Sequence, residues 1–114
     1  MHASAEPSPS AYPGVQQHLD ALQRTLPQLR GAIFCDLQGD VIAASGREHQ
    51  NVMAMTPFVL GLMDLLGRVC EDGGLGLEEM AFVRADRGMA LLHQVGGTHL
   101  FAAFIDRDAR PACC

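Results

Sequence analysis

The sequence predicts an α+β fold: a three-layer α/β/α sandwich around a five-stranded, mainly antiparallel sheet, with elements in the order α-β-β-α-β-β-β. Three observations carry this. Hydrophobic periodicity switches between helical and strand spacing in that order along the 114 residues. The last two strands, joined at Gly96-Gly97, are apolar on both faces, so each face needs a covering layer. One helix between the strand groups is apolar around most of its circumference.

The first helix follows from Val15, Leu19, Leu22 and Leu26, spaced at four, three and four residues as one amphipathic stripe. Pro13 and Gly14 open it and Pro27 closes it. Residues 31–45, GAIFCDLQGDVIAAS, place two short apolar runs around Asp36-Leu37-Gln38-Gly39-Asp40. Aspartates bond nearby backbone and Gly39 supplies a positive φ, so the pair reads as a β-hairpin. A polar connection, GREHQN at residues 46–51, leads to the apolar helix.

That helix, MTPFVLGLMDLLGRVC at residues 55–70, leaves only a thin polar stripe through Pro57, Gly61, Asp64, Arg68 and Asp72. Its start has two readings: Thr56 and Pro57 suit an N-cap and first position, whereas Met53 to Met55 already fit a helical run. Glu71-Asp72-Gly73-Gly74 stops it. Strands are then expected at Met80–Ala85, Met89–Val95 and Thr98–Ile105, with a two-residue turn at Gly96-Gly97. Such a turn pairs Val95 with Thr98, Gln94 with His99 and His93 with Leu100. It puts Met89, Leu91, His93, Val95, Leu100, Ala102 and Phe104 on one face, and Leu92, Gln94, His99, Phe101, Ala103 and Ile105 on the other.

A helix lying on one sheet buries a third to a half of its surface, so the 55–70 helix needs a further neighbour. A membrane fails as that neighbour, because a span takes about 20 apolar residues and Asp64 and Arg68 interrupt this run. Another chain remains. Residues 1–13, rich in Pro and Ser, read as a flexible leader without the basic start and apolar core of a signal peptide; residues 14–106 form the domain and 107–114 a short tail. A soluble, cytoplasmic protein is expected. The formal charge is −5, every basic residue is Arg, and no basic run supports nucleic-acid binding.

No catalytic constellation emerges. With no Lys in the chain, Gly73, Gly74 and Gly76 lack the cation of a phosphate loop and read as a helix stop. His93 and His99 fall on opposite faces in the register above and share no metal; His18 and His49 have no carboxylate at a ligand spacing. Asp36 and Asp40 are accounted for by their turn, Ser45 lacks a nucleophile's setting, and Cys35 lies mid-strand without a base. Cys35 and Cys70 read as small buried hydrophobes. Cys113-Cys114 resembles a prenylated double-cysteine ending, but nothing else suggests that modification and the pair reads as a frayed tail. Neither an enzyme, a cofactor nor a metal is expected.

The segment RGAIFCDLQGDVIAASG, the long apolar helix after it, and LEEMAFVRADRGMALLHQVGGTHLFAAFID together resemble the roadblock/dynein light chain domain, including its bacterial MglB-like members. The likeness covers about residues 15–106. It implies a homodimer in which the third strand pairs with its symmetry mate and the long helices lie side by side. The interface would then use Phe58, Leu62, Leu65, Leu66, Val69, Met80, Phe82 and Arg84. The family serves Ras-like small GTPases and their scaffolds, which implies a non-catalytic regulator or adaptor, activating or scaffolding. Bacterial activators of this kind are thought to reposition groups within the GTPase, so Arg68, Arg84 and Arg87 are not expected to act as an arginine finger. A partner platform is expected at Met55, Pro57, Gly61, Asp64 and Arg68. Many members continue into a carboxyl-terminal helix, whereas here residues 106–111 lead almost at once to the end; one sheet face is then expected to be covered only by the first helix. Two alternatives stay open: a profilin-like small-molecule sensing module, and a structural dimer tethering a larger complex.

Overall fold

The computed structural model of the protein describes residues 14–107. The leader and nearly all of the tail, including Cys113 and Cys114, lie outside the described residues. The elements are α1 (Val15–Thr25), β1 (Leu29–Asp36), β2 (Val41–Ser45), α2 (His49–Ala54), α3 (Thr56–Asp72), β3 (Met80–Arg84), β4 (Gly88–Val95) and β5 (His99–Asp106). The strands form one sheet in the order β2-β1-β5-β4-β3, with every neighbouring pair antiparallel. This is the expected α+β sandwich: α1 packs on one face, and α2 with α3 on the other.

The apolar helix departs from expectation at its start, where both readings hold in part. Residues 49–54 form a helix of their own, taking in three positions expected as connection, and Met55 joins it to α3. Pro57 falls in the first turn of α3, where its missing N–H has no helical acceptor to lose. The Thr56 hydroxyl donates to the Met53 carbonyl at 2.7 Å and so closes the junction. At the other end Leu75 N–H bonds Cys70 O at 2.7 Å and Gly74 N–H bonds Glu71 O at 3.1 Å. With Gly74 at φ 77°, this double bond is a Schellman stop.

The β4–β5 register also differs. The turn forms as expected, with Thr98 N–H bonded to Val95 O at 3.2 Å, but the ladder then pairs Val95 with His99, Gln94 with Leu100 and His93 with Phe101. Thr98 is an extra residue directly after the turn, a one-residue bulge that shifts every later pair by one. Met89, Leu91, His93 and Val95 therefore share a face with His99, Phe101, Ala103 and Ile105. Ala90, Leu92 and Gln94 share the other with Leu100, Ala102 and Phe104.

Two cores result. Ile33, Cys35, Val41, Leu92, Leu100 and Ala102 lie with Val52, Val59 and Met63 of α2 and α3; Leu29, Ala32, Phe34, Ile42 and Ala103 lie with Leu19 of α1. At one end of the sheet Asp106 accepts from Arg30 Nε at 3.0 Å and from Arg47, tying β5 to β1 and to the β2–α2 loop. Gly46, beside this junction, sits at φ 108°, and a Cβ there would meet Gly31 Cα at 2.5 Å and Arg30 O at 2.7 Å.

Gly46→Ala is expected to destabilise the fold by about 2 kcal/mol or more, from clash and left-handed backbone together. Gly61→Ala, at an open helical position, is expected to stabilise it by about 0.5–1 kcal/mol. Urea unfolding of the two variants, opposite in sign, checks the assignment.

Candidate interaction surface

The turns of α3 sort into three stripes. Thr56, Val59 and Met63 are buried on the sheet. About 100° round the helix from them run Phe58, Leu62, Leu65 and Val69, spaced four, three and four residues apart as in a coiled-coil seam. These four are exposed: Phe58 by 69%, Leu65 and Val69 by 59% each. A further turn of about 100° reaches Pro57, Gly61, Asp64 and Arg68, all exposed and pointing away from the sheet.

The expected interface residues of α3 lie together, whereas the side chains of Met80, Phe82 and Arg84 point to the opposite, α1 face of the sheet, so that β3 offers the α3 side only its backbone edge; a second difference lies within α3. Leu66 packs partly against the core beneath α3 and offers less of itself outward. On β3, Met80, Phe82 and Arg84 are exposed, and the strand has a neighbour only in β4. The platform stripe is continuous along α3, and a Cβ at Gly61 would meet nothing within 4 Å. Asp64 and Arg68 pair with each other at 3.8 Å, one helical turn apart and largely solvated, a contact worth a few tenths of a kcal/mol. Met55 sits apart from the stripe, at the α2–α3 junction.

The two sheet edges are not alike. At β2 the side chain of Gln16 on α1 engages both outward backbone groups of Ala44: Nε2 donates to Ala44 O at 2.7 Å, and Oε1 accepts from Ala44 N–H at 3.2 Å. Ser45 Oγ donates to Leu19 O at 2.8 Å, and Gln23 Oε1 accepts from Gly46 N–H at 3.3 Å. Helix α1 thus closes one edge with its own side chains. Along β3 no strand among the described residues lies beside the outer backbone, the form in which a sheet accepts another chain. Gln16 and Gln23 escaped the sequence reading because a glutamine on the polar side of an amphipathic helix looks like any solvated residue. Leu75 and Leu77, exposed between α3 and β3, escaped it inside a glycine-rich run.

The groups weighed for chemistry have structural explanations. The Asp36 carboxylate accepts from Gln38 N–H at 3.0 Å and Asp40 N–H at 2.9 Å, which makes the hairpin turn. Burial, with the Asp36 charge adding to it, pushes the Cys35 thiol up to about 11, away from a nucleophile's range. The corrected register overturns the separation of the histidines: His93 and His99 share a face. His99 stacks on Phe34 with ring centroids 5.2 Å apart and its Nδ1 lies 2.8 Å from Thr98 Oγ1. Among the described residues no cluster of three His, Cys, Asp or Glu side chains is placed to hold a metal, and no helix is long and apolar enough to cross a membrane. A cleft of about 420 Å³ between α3 and the tip of β4–β5 is lined by Leu60, Met63, Asp64, Glu71 and Glu78 among others.

No protein-family model and no curated protein matches the sequence. Solved structures do resemble the fold. MglB of Myxococcus xanthus superposes with a TM-score of 0.75 over 86% of this chain and 80% of its own, at 13% identity. A Roadblock/LC7 domain from Streptomyces avermitilis gives 0.72 over 82% and 79%, at 18% identity. An MglB described as having a tetrameric arrangement gives 0.74 over 89% and 79%, at 16% identity. What is shared at such identities is the fold.

Gln16→Ala is expected to speed hydrogen exchange at the Ala44 amide by about tenfold or more and to cost about 1–2 kcal/mol of stability, since both bonds to Ala44 go together with the one to Asp20. Exchange at β3 amides should stay unchanged, which amide exchange followed by NMR reads residue by residue.

Proposed function

We propose, from the roadblock fold as premise, that this chain is a non-catalytic, homodimeric regulator or adaptor of a Ras-like small GTPase. The observation that carries the reading is the pairing of two unsatisfied surfaces, the apolar stripe Phe58-Leu62-Leu65-Val69 and the open edge of β3. A two-fold axis beside β3 satisfies both at once. It joins β3 to its mate as a continuous antiparallel ladder and lays one α3 stripe against the other. Burying Phe58, Leu65 and Val69 is worth about 1.5–3 kcal/mol per side chain on each copy, ample for a stable dimer. A self-associating form has a parallel in the MglB described with a tetrameric arrangement.

The dimer leaves the third stripe of each α3 outward. Pro57 and Gly61 let a partner backbone approach closely, while Asp64 and Arg68 can exchange their weak mutual pair for charges on the partner. The resemblance to roadblock domains supports a Ras-like small GTPase as that partner and argues against an inserted arginine. Whether hydrolysis is accelerated or the GTPase only anchored is read from nucleotide dependence: a regulator distinguishes the GTP- from the GDP-loaded form, and a pure tether binds both alike.

Sedimentation equilibrium at low micromolar concentration is expected to give about twice 12.2 kDa, falling to a monomer in Leu65→Asp. A well-behaved wild-type monomer would end the proposal. Gly61→Glu is expected to keep the dimer yet lower binding to the cognate GTPase by at least about tenfold, or 1.4 kcal/mol. Undiminished binding in a pull-down would remove the platform.

A further inference from the structure

We infer that the cleft between α3 and the tip of β4–β5 is an anchor site for an arginine side chain of the protein that docks on the α3 platform. Naming that protein rests on the function proposed above, whereas the cleft itself is complete within one copy. Its wall on α3 is a fourth stripe, Leu60, Asp64, Gly67 and Glu71. Each stands two positions after a seam residue, about 200° round the helix, so the stripe faces away from Phe58, Leu62, Leu65 and Val69 and stays open in the proposed dimer. Asp64 and Arg68 belong both to the platform and to the cleft, which makes the two surfaces continuous.

Opposite this wall, Glu78 reaches in half-buried, and a Cβ at Gly67 would stand 2.9 Å from its Oε1 and 3.3 Å from its Cδ. A glycine inside a helix weakens it, and here it makes the room in which the carboxylate lies. Among the described residues Glu71 and Glu78 have no ion pair, and Arg68, the one cation of the lining, reaches only Asp64, at 3.8 Å. The charges of the fold are sorted by end. Asp36 and Asp40 of the β1–β2 turn, with Asp72 and Glu79, lie at the end of the sheet that holds the cleft. Arg30, Arg47, Arg84, Arg87 and Arg107 gather at the other, where β1 and β4 begin and β3 and β5 finish. His93 and His99 turn to the α1 face. A cationic group of a partner is therefore drawn to this cleft. The floor of Leu60, Met63 and Leu100 suits a methylene stem, and the Gln94 side chain adds a neutral acceptor. Carboxylates on two walls suit the planar donor fork of a guanidinium better than a point-like ammonium. At about 420 Å³ the cleft also has space for an apolar neighbour of the arginine.

The test titrates the isotope-labelled full chain with acetyl-Leu-Arg-amide and follows backbone amide shifts by NMR. Saturable shifts at low-millimolar peptide are expected at Gly67, Glu71, Glu78 and Gln94. The citrulline analogue, equal in shape but uncharged, should bind at least about tenfold more weakly. Glu78→Gln, and Gly67→Ala, which displaces Glu78 while favouring the helix, should each weaken the arginine peptide by about threefold or more. Their unfolding midpoints should be no lower than that of the wild type, which separates binding from folding. No saturable shift, equal binding of the citrulline or a lysine analogue, or unaltered affinity in both variants would overturn the inference and leave the function proposed above untouched. So would tighter binding of spermidine at the same amides, which would assign the cleft to a free polyamine. A higher oligomer that Glu78→Gln dissolves would overturn it too, by assigning the cleft to an arginine of a second copy. Peptide binding as expected beside an undiminished Gly61→Glu pull-down would keep the arginine site and remove the GTPase as its source.

Discussion

A sheet of five strands at about 4.8 Å spacing is some 24 Å wide, and a helix is about 10–12 Å across. Each apolar face therefore needs two helices side by side, and the described part of this chain supplies less than that. On one face the short α2 and the longer α3 divide the work. On the other α1 stands alone, over β1, β2 and the adjoining residues Phe101, Ala103 and Ile105 of β5. The surplus apolar surface is a consequence of this shortfall in width, and it falls where the covering helices end: on the flank of α3 and over β3 and β4. Partner surfaces of this kind need no special residues, only a sheet wider than its own cover.

Where local periodicity decides, the sequence was a sufficient guide. The α1 stripe, the Asp36–Asp40 turn, the glycine stop after α3 and all five strands were legible because each is set by residues close together in the chain. Three features were not. The bulge at Thr98 moves a whole ladder by one residue, yet the Gly96-Gly97 turn before it looks the same with or without the bulge. The break at Met55 is decided by tertiary packing of Val52 on the sheet as much as by Pro57. The Gln16 clamp on Ala44 joins residues 28 positions apart, and no local signal announces it. The expected interface residues of α3 were legible as a stripe, since exposure on a helix follows its period; Leu66 differs because it lies between two stripes.

The unequal edges bear on assembly. A sheet with two open edges can accept a neighbour on each side and grow without limit, the hazard that edge strands carry. Here the side chain of Gln16 occupies the backbone groups that a stray strand would use at β2. Among the described residues β3 is the edge left available, and an association restricted to one edge closes after a single event when that edge pairs with its own copy.

The strand order has a consequence in time as well as in space. Strand β5 lies in the middle of the sheet, between β1 and β4, although it is the last of the described strands. The β1–β2 and β3–β4 hairpins are each local and can form early, but they meet only through β5. During synthesis the two halves of the sheet therefore wait, each with a bare edge, until residues 99–106 leave the ribosome and slide between them. That final insertion makes the longest-range contacts of the fold, so its rate sets how long those edges stay exposed.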